Sequence, residues 1–100
     1  MRAYPFDVVI SDTMKVENYF QIKLSDGAVL SVYNPCLFEG LSYADLKGCI
    51  LKEIREDETA NVIVLALDKG TLRVDVHPDA WIGPEAMTLY GSGHSIVIWN

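Results

Sequence analysis

At 100 residues, with no second composition regime, the chain makes one domain. Half of its residues are apolar and 22% are charged, which excludes a disordered tail, a collagen-like fibre and a coiled coil. Fourteen acids against eight bases leave a net charge of −6, so unaided binding to DNA, RNA or anionic lipid is electrostatically opposed and a basic partner is favoured.

Arg2 supplies an early charge, but Pro5 and Asp7 break the apolar run that a secretory signal needs, and a cytoplasmic location is expected. Residues 6–11 read as a first strand. Phe20, Ile22 and Leu24 then alternate with Tyr19, Gln21 and Lys23, as a sheet with one wet face requires. Ser25-Asp26-Gly27 turns the chain, Leu30 and Val32 resume the inward face, and Asn34-Pro35 stops it because proline cannot donate to a ladder. Residues 41–48 predict one short helix: Ser42 is its N-cap, Asp45 stands near the positive end, Leu41 and Leu46 staple the entry, and Gly48 ends it. Residues 49–54 read as a strand, followed by a loop carrying Glu53, Glu56, Asp57 and Glu58. The β-branched run 61–67, the turn Asp68-Lys69-Gly70 and the alternating Leu72, Val74 and Val76 repeat the earlier hairpin before Pro78 ends it. Residues 85–90 and 95–99 form a last hairpin through Gly91-Ser92-Gly93. Eight strands and one short helix must bury their apolar faces on each other, so the expected fold is mainly β: an antiparallel sandwich or partly open barrel. Ile50 and Ile54 are expected to point inward together, and residues 95–99 to lie at an edge.

No membrane span is expected, because the longest uncharged stretch, 86–100, is interrupted by Gly91-Ser92-Gly93-His94-Ser95 and falls short of the ~20 apolar residues a helix needs. Cys36 and Cys49, without an export signal, read as reduced thiols packed as small apolar groups. No metal or cofactor is expected: two histidines and two cysteines show no ligand spacing, and Asp75, His77 and Asp79 would share a face only if the strand ran through Pro78. Gly91-Ser92-Gly93-His94 lacks the setting of a nucleophile elbow, and Gly27, Gly70 and Gly83 form no phosphate loop. No catalytic residue is assigned. The candidate site is a partner-binding surface. Glu53, Glu56, Asp57 and Glu58, with Asp75 and Asp79, would imitate a phosphate backbone and capture lysines and arginines. Trp81, Tyr33 and Tyr43 would anchor it, since aromatics dominate interface energetics. The alternative is a β-sandwich or barrel that takes a small apolar ligand in its interior.

The segment Asp68-Lys69-Gly70-Thr71-Leu72-Arg73-Val74, the corner Gly83-Pro84-Glu85-Ala86 and the closing Ile96-Val97-Ile98-Trp99 resemble a group of small β-rich bacterial proteins. Several of these look like immunity proteins of contact-dependent growth inhibition and related polymorphic toxin systems. The resemblance implies a cytoplasmic, non-catalytic protein that binds the toxic domain of its own strain's effector, often a nuclease, and blocks it.

Overall fold

The computed structural model describes residues 2–77, 79, 86–91 and 97–99. Among the described residues, nine strands form one antiparallel sheet that does not close: β1 (Arg2–Val16), β2 (Tyr19–Leu24), β3 (Val29–Val32), β4 (Cys36–Glu39), β5 (Ile50–Asp57), β6 (Val62–Leu67), β7 (Thr71–Asp75), β8 (Met87–Tyr90) and β9 (Val97–Trp99). Their order across the sheet is β4-β7-β6-β5-β1-β2-β3-β8-β9, which leaves β4 and β9 at the edges.

The expected first strand is the short part of a much longer one. β1 pairs with β5 through its N-terminal half and with β2 through its C-terminal half. The pairing changes over between Val9, opposite Ile50, and Ile10, opposite Leu24, and a register shift between Ile10 and Asp12 follows at once in the β2 ladder. Before it, Tyr4, Phe6, Val8 and Ile10 face the core; after it, Thr13 pairs with the buried Ile22. A bulge of this kind bends a strand and moves the inward face by one residue, so the plain alternation that marks a strand stops at Ser11 although the strand does not. The bend folds the five-stranded half β4-β7-β6-β5-β1 onto the four strands β2-β3-β8-β9 that continue from the C-terminal part of β1.

One core lies between the halves, with Ile22, Leu30 and Met87 from one side and Ile54, Leu65, Leu72 and Val74 from the other. Phe20 of β2 reaches Phe38 of β4 at 6.4 Å and meets Tyr43 edge-on at 5.4 Å, closing one end of the interface with aromatic contacts. Lys15 Nζ lies 4.8 Å from the centre of the Tyr43 ring. Asn34 Nδ2 donates to the Asp75 carbonyl at 2.9 Å, tying the end of β3 to the opposite half.

Two expected hairpins form as read. Asp26 Oδ1 accepts the Ala28 N–H at 3.0 Å and Gly27 takes φ +93°, which only glycine adopts without strain. In the turn after β6, Asp68 Oδ1 accepts the Ile50 N–H at 2.9 Å, so the side chain also secures the start of β5. The expected helix over 41–48 is instead a single 3₁₀ turn, Tyr43–Asp45. Two consecutive bonds of i to i+3 spacing, from the Asp45 and Leu46 N–H groups to the Ser42 and Tyr43 carbonyls, wind the chain more tightly than an α-turn; a third, from Cys49 N–H to the Leu46 carbonyl, closes a separate turn, and between them the Gly48 N–H leaves the segment for the Ile10 carbonyl. The capping pair is present: Asp45 Oδ2 accepts from the Ser42 N–H at 2.9 Å and from its hydroxyl at 3.0 Å.

These carboxylates make folding sensitive to acid. The hydrogen bonds from Ser42 lower the Asp45 carboxyl, and the Ile50 N–H lowers that of Asp68, each from an ordinary value of 3.8. A folded-state value below the unfolded one contributes stability that is present above the unfolded value and lost as pH falls through the folded one. The melting temperature is therefore expected to fall as pH drops below about 4, and Asp68→Asn to flatten that fall while leaving a lower melting temperature at neutral pH. A profile for Asp68→Asn parallel to that of the parent protein would show that Asp68 contributes nothing there.

Candidate functional site

The acidic run belongs to a strand, not a loop. Glu53, Glu56 and Asp57 lie within β5, and only Glu58 falls in the following turn. Nor does the run protect an edge, because β5 pairs with β1 on one side and β6 on the other. Period two then separates the charges: Glu53, Arg55 and Asp57 share the outer face of the five-stranded half, while Glu56 stands on the opposite side, where Oε2 accepts from the Tyr4 hydroxyl at 3.2 Å. A register shift between Leu51 and Glu53 has a second effect. Leu51 and Ile54 are the buried pair, and Ile50, expected inside, is only half-buried.

Ladder pairing arranges the outer face in rows. The central row runs Leu37, Arg73, Val64, Arg55, Ala3. On one side of it lie Glu39, Thr71, Ala66 and Glu53; on the other, Asp75, Val62 and Asp57. Four carboxylates thus frame two guanidiniums. Arg73 Nη1 lies 3.4 Å from Glu39 Oε1, which also accepts from the Thr71 hydroxyl at 3.2 Å, and Arg55 Nε lies 3.5 Å from Glu53 Oε1 without a hydrogen bond. Exposed pairs of this kind stabilise a fold by only about 0–1 kcal/mol, so their sign pattern matters more than their strength.

Two shallow clefts open on this face and meet at Arg73. One, of about 240 Å³, is lined by Glu39, Arg55, Asp57, Val64, Thr71 and Arg73. The other, of about 330 Å³, lies among Pro35, Cys36, Leu37, Val62, Arg73, Asp75 and His77. Asp75 Oδ1 is 2.7 Å from His77 Nδ1 and 2.9 Å from the His77 backbone N–H. A carboxylate only accepts, so Nδ1 carries the proton. The backbone N–H, followed by the ring, holds the Asp75 carboxyl below its ordinary value.

β7 ends at Asp75, before the segment through which Asp79 would have joined Asp75 and His77, and among the described residues no three metal-ligating side chains come together. Asp79 is exposed. Both cysteines are free. Burial pushes the Cys36 and Cys49 thiols up, and the Cys49 thiol donates to the Asp45 carbonyl at 3.1 Å. A raised thiol is the opposite of what a nucleophile needs.

Of the expected partner-binding residues, the structure gathers Glu53, Asp57 and Asp75 on one face and sets Glu58 in the turn beside them. It separates the tyrosines from them. Tyr33 meets Tyr19 at a tilt of 40°, ring centres 4.8 Å apart, in the other half, and Tyr43 belongs to the aromatic contact between the halves. Trp81, the corner residues Gly83, Pro84 and Glu85, and the segment Ser92, Gly93, His94 and Ser95 lie outside the described residues. Sequence reasoning missed Leu37, Glu39 and Arg73; alternation across 36–39 was the available signal, masked by the preceding Pro35. No family model, curated protein or solved structure matches the chain. Among the described residues, no helix is long and apolar enough to cross a membrane.

Proposed function

We propose that this is a non-catalytic immunity protein that binds and blocks a cationic toxin domain, a nuclease in chemical character, through the outer face of its five-stranded half. The observation that carries the reading is the framing of Arg55 and Arg73 by Glu39, Glu53, Asp57 and Asp75 on strands paired in register, on a chain of net charge −6. Carboxylates held on a paired sheet lose little freedom when they engage lysine or arginine, so more of each charge-assisted bond appears as affinity. The two arginines keep like charges from facing each other in the free protein. A nuclease holds phosphate with cationic residues, and these are the groups such a face attracts. Complementary fields raise encounter rates by roughly 10–10³-fold at low salt.

The test is titration against the product of the neighbouring open reading frame, which this reading requires to carry a cationic toxin domain. A one-to-one complex whose association slows with added salt, together with loss of toxicity on co-expression, is expected. Glu53→Gln with Asp57→Asn should reduce the association rate at least several-fold without lowering the melting temperature. No complex at micromolar concentration, or binding insensitive to salt, would sink the reading.

A further inference from the structure

β4 is an edge strand with its hydrogen-bonding pattern fixed on one side only. The Asp75 N–H donates to the Pro35 carbonyl at 2.9 Å, and β4 pairs antiparallel with β7 with Leu37 opposite Arg73 and Glu39 opposite Thr71. Antiparallel ladders alternate, so the backbone groups of Leu37 and Glu39 are those turned toward β7. The N–H and C=O groups of Cys36 and Phe38 point the other way, and among the described residues no strand meets them. Evenly spaced unpaired backbone groups are a template for a further strand.

The side chains beside that template are not neutral in their preference. Leu37 is the most solvent-accessible large apolar residue described, at 59% exposed. Glu39 follows two positions on, half open to solvent. Two positions before Leu37 stands Pro35, whose compact ring borders the 330 Å³ cleft walled by Asp75 and His77. A strand added to β4 would set its outward side chains in line with these three.

We propose that β4 is a strand-addition site: an extended segment of a cationic protein pairs with Cys36–Glu39, sets an apolar side chain against Leu37 and basic side chains against Glu39 and over Pro35 into the cleft at Asp75. The inference rests on the proposed binding of a cationic partner and adds where and how that partner docks. Backbone bonds supply part of the affinity and the basic-apolar-basic alternation supplies the choice of segment. β4 could also pair with β4 of a second copy about Leu37, but that brings two chains of net charge −6 together, and charge favours the basic segment.

The probe is a capped peptide alternating arginine, threonine, valine, threonine and arginine, titrated into isotope-labelled protein. The expected results are slowed solvent exchange of the Cys36 and Phe38 amides, and affinity at least tenfold weaker for Leu37→Lys and for the peptide N-methylated on its pairing edge. Leu37 is exposed, so Leu37→Lys should keep the parent melting temperature. Absence of peptide binding, equal binding of the N-methylated peptide, or slowed exchange that instead follows protein concentration without peptide would each overturn strand addition. The neighbouring toxin domain separates the two readings. If it binds Leu37→Lys as well as the parent protein, strand addition fails and the immunity reading stands; if the peptide behaves as expected and the toxin does not bind, the reverse holds.

Discussion

Ile54→Ala is expected to cost about 2–5 kcal/mol, the range for truncating a fully buried isoleucine where the surroundings cannot collapse onto the space. Ile54 is 0% exposed and lies in a strand paired on both sides, opposite Tyr4 and Leu65. Neither neighbour can move inward without breaking its ladder. Denaturant unfolding should show the loss as a lower midpoint at unchanged slope. Two companions make the experiment a test of register as well as of packing. Leu51→Ala should cost as much as Ile54→Ala, because the shift between Leu51 and Glu53 turns both inward. Ile50→Ala should cost about 1 kcal/mol or less, since that residue is only half-buried. Equal losses at Ile50 and Ile54, with little at Leu51, would mean that β5 runs without its bulge.

Gly70→Ala is the second large effect, and its cause is contact, not backbone dihedral. A Cβ at Gly70 would collide with the Glu39 carbonyl oxygen and come within 2.8 Å of Leu41 Cδ2. The leucine can rotate away. The carbonyl cannot, because it belongs to β4 where that strand pairs with β7. Relief requires the end of β4 to lift, at the roughly 1–3 kcal/mol typical of overpacking. Hydrogen exchange should quicken at the Leu37, Glu39, Thr71 and Arg73 amides and stay slow in β2 and β3. Uniform quickening would show that the edge does not open separately. The same substitution should weaken any partner that needs β4 in place, which ties this result to the strand-addition experiment.

The legible and hidden parts of this fold differ in a physical way. β2 and β7 alternate in side-chain character, β6 is an unbroken apolar run, and the turns Asp26-Gly27 and Asp68-Lys69-Gly70 join β2 to β3 and β6 to β7, so side-chain pattern and backbone geometry agree. β1 and β5 contain register shifts, and each shift breaks the alternation that would reveal the strand. β5 was further disguised by charge: Glu53, Arg55, Glu56 and Asp57 read as solvated loop, yet Ile54 alone, pinned between Tyr4 and Leu65, holds that stretch in the sheet interior. β4 is hidden by the Pro35 that precedes it, a residue tolerated there because it lacks only the N–H that a strand's first position can spare. For the candidate site, the residue types were readable and their company was not. Nothing in the chain order announces that Glu39 and Arg73 meet, 34 positions apart.

The bent β1 has a consequence for how the molecule comes together. Its C-terminal part finds β2 across a two-residue connection, whereas its N-terminal part must wait for β5, with Arg2 opposite Glu56. Closing a long loop carries an entropy cost before any contact repays it, so the local hairpin has the kinetic advantage and the distant pairing sets the pace. A single ribbon shared by two layers also means that no cut leaves either layer whole: a fragment lacking β1 loses the seam of both. Assembly is therefore indivisible, and halves expressed separately should regain structure only by recombining.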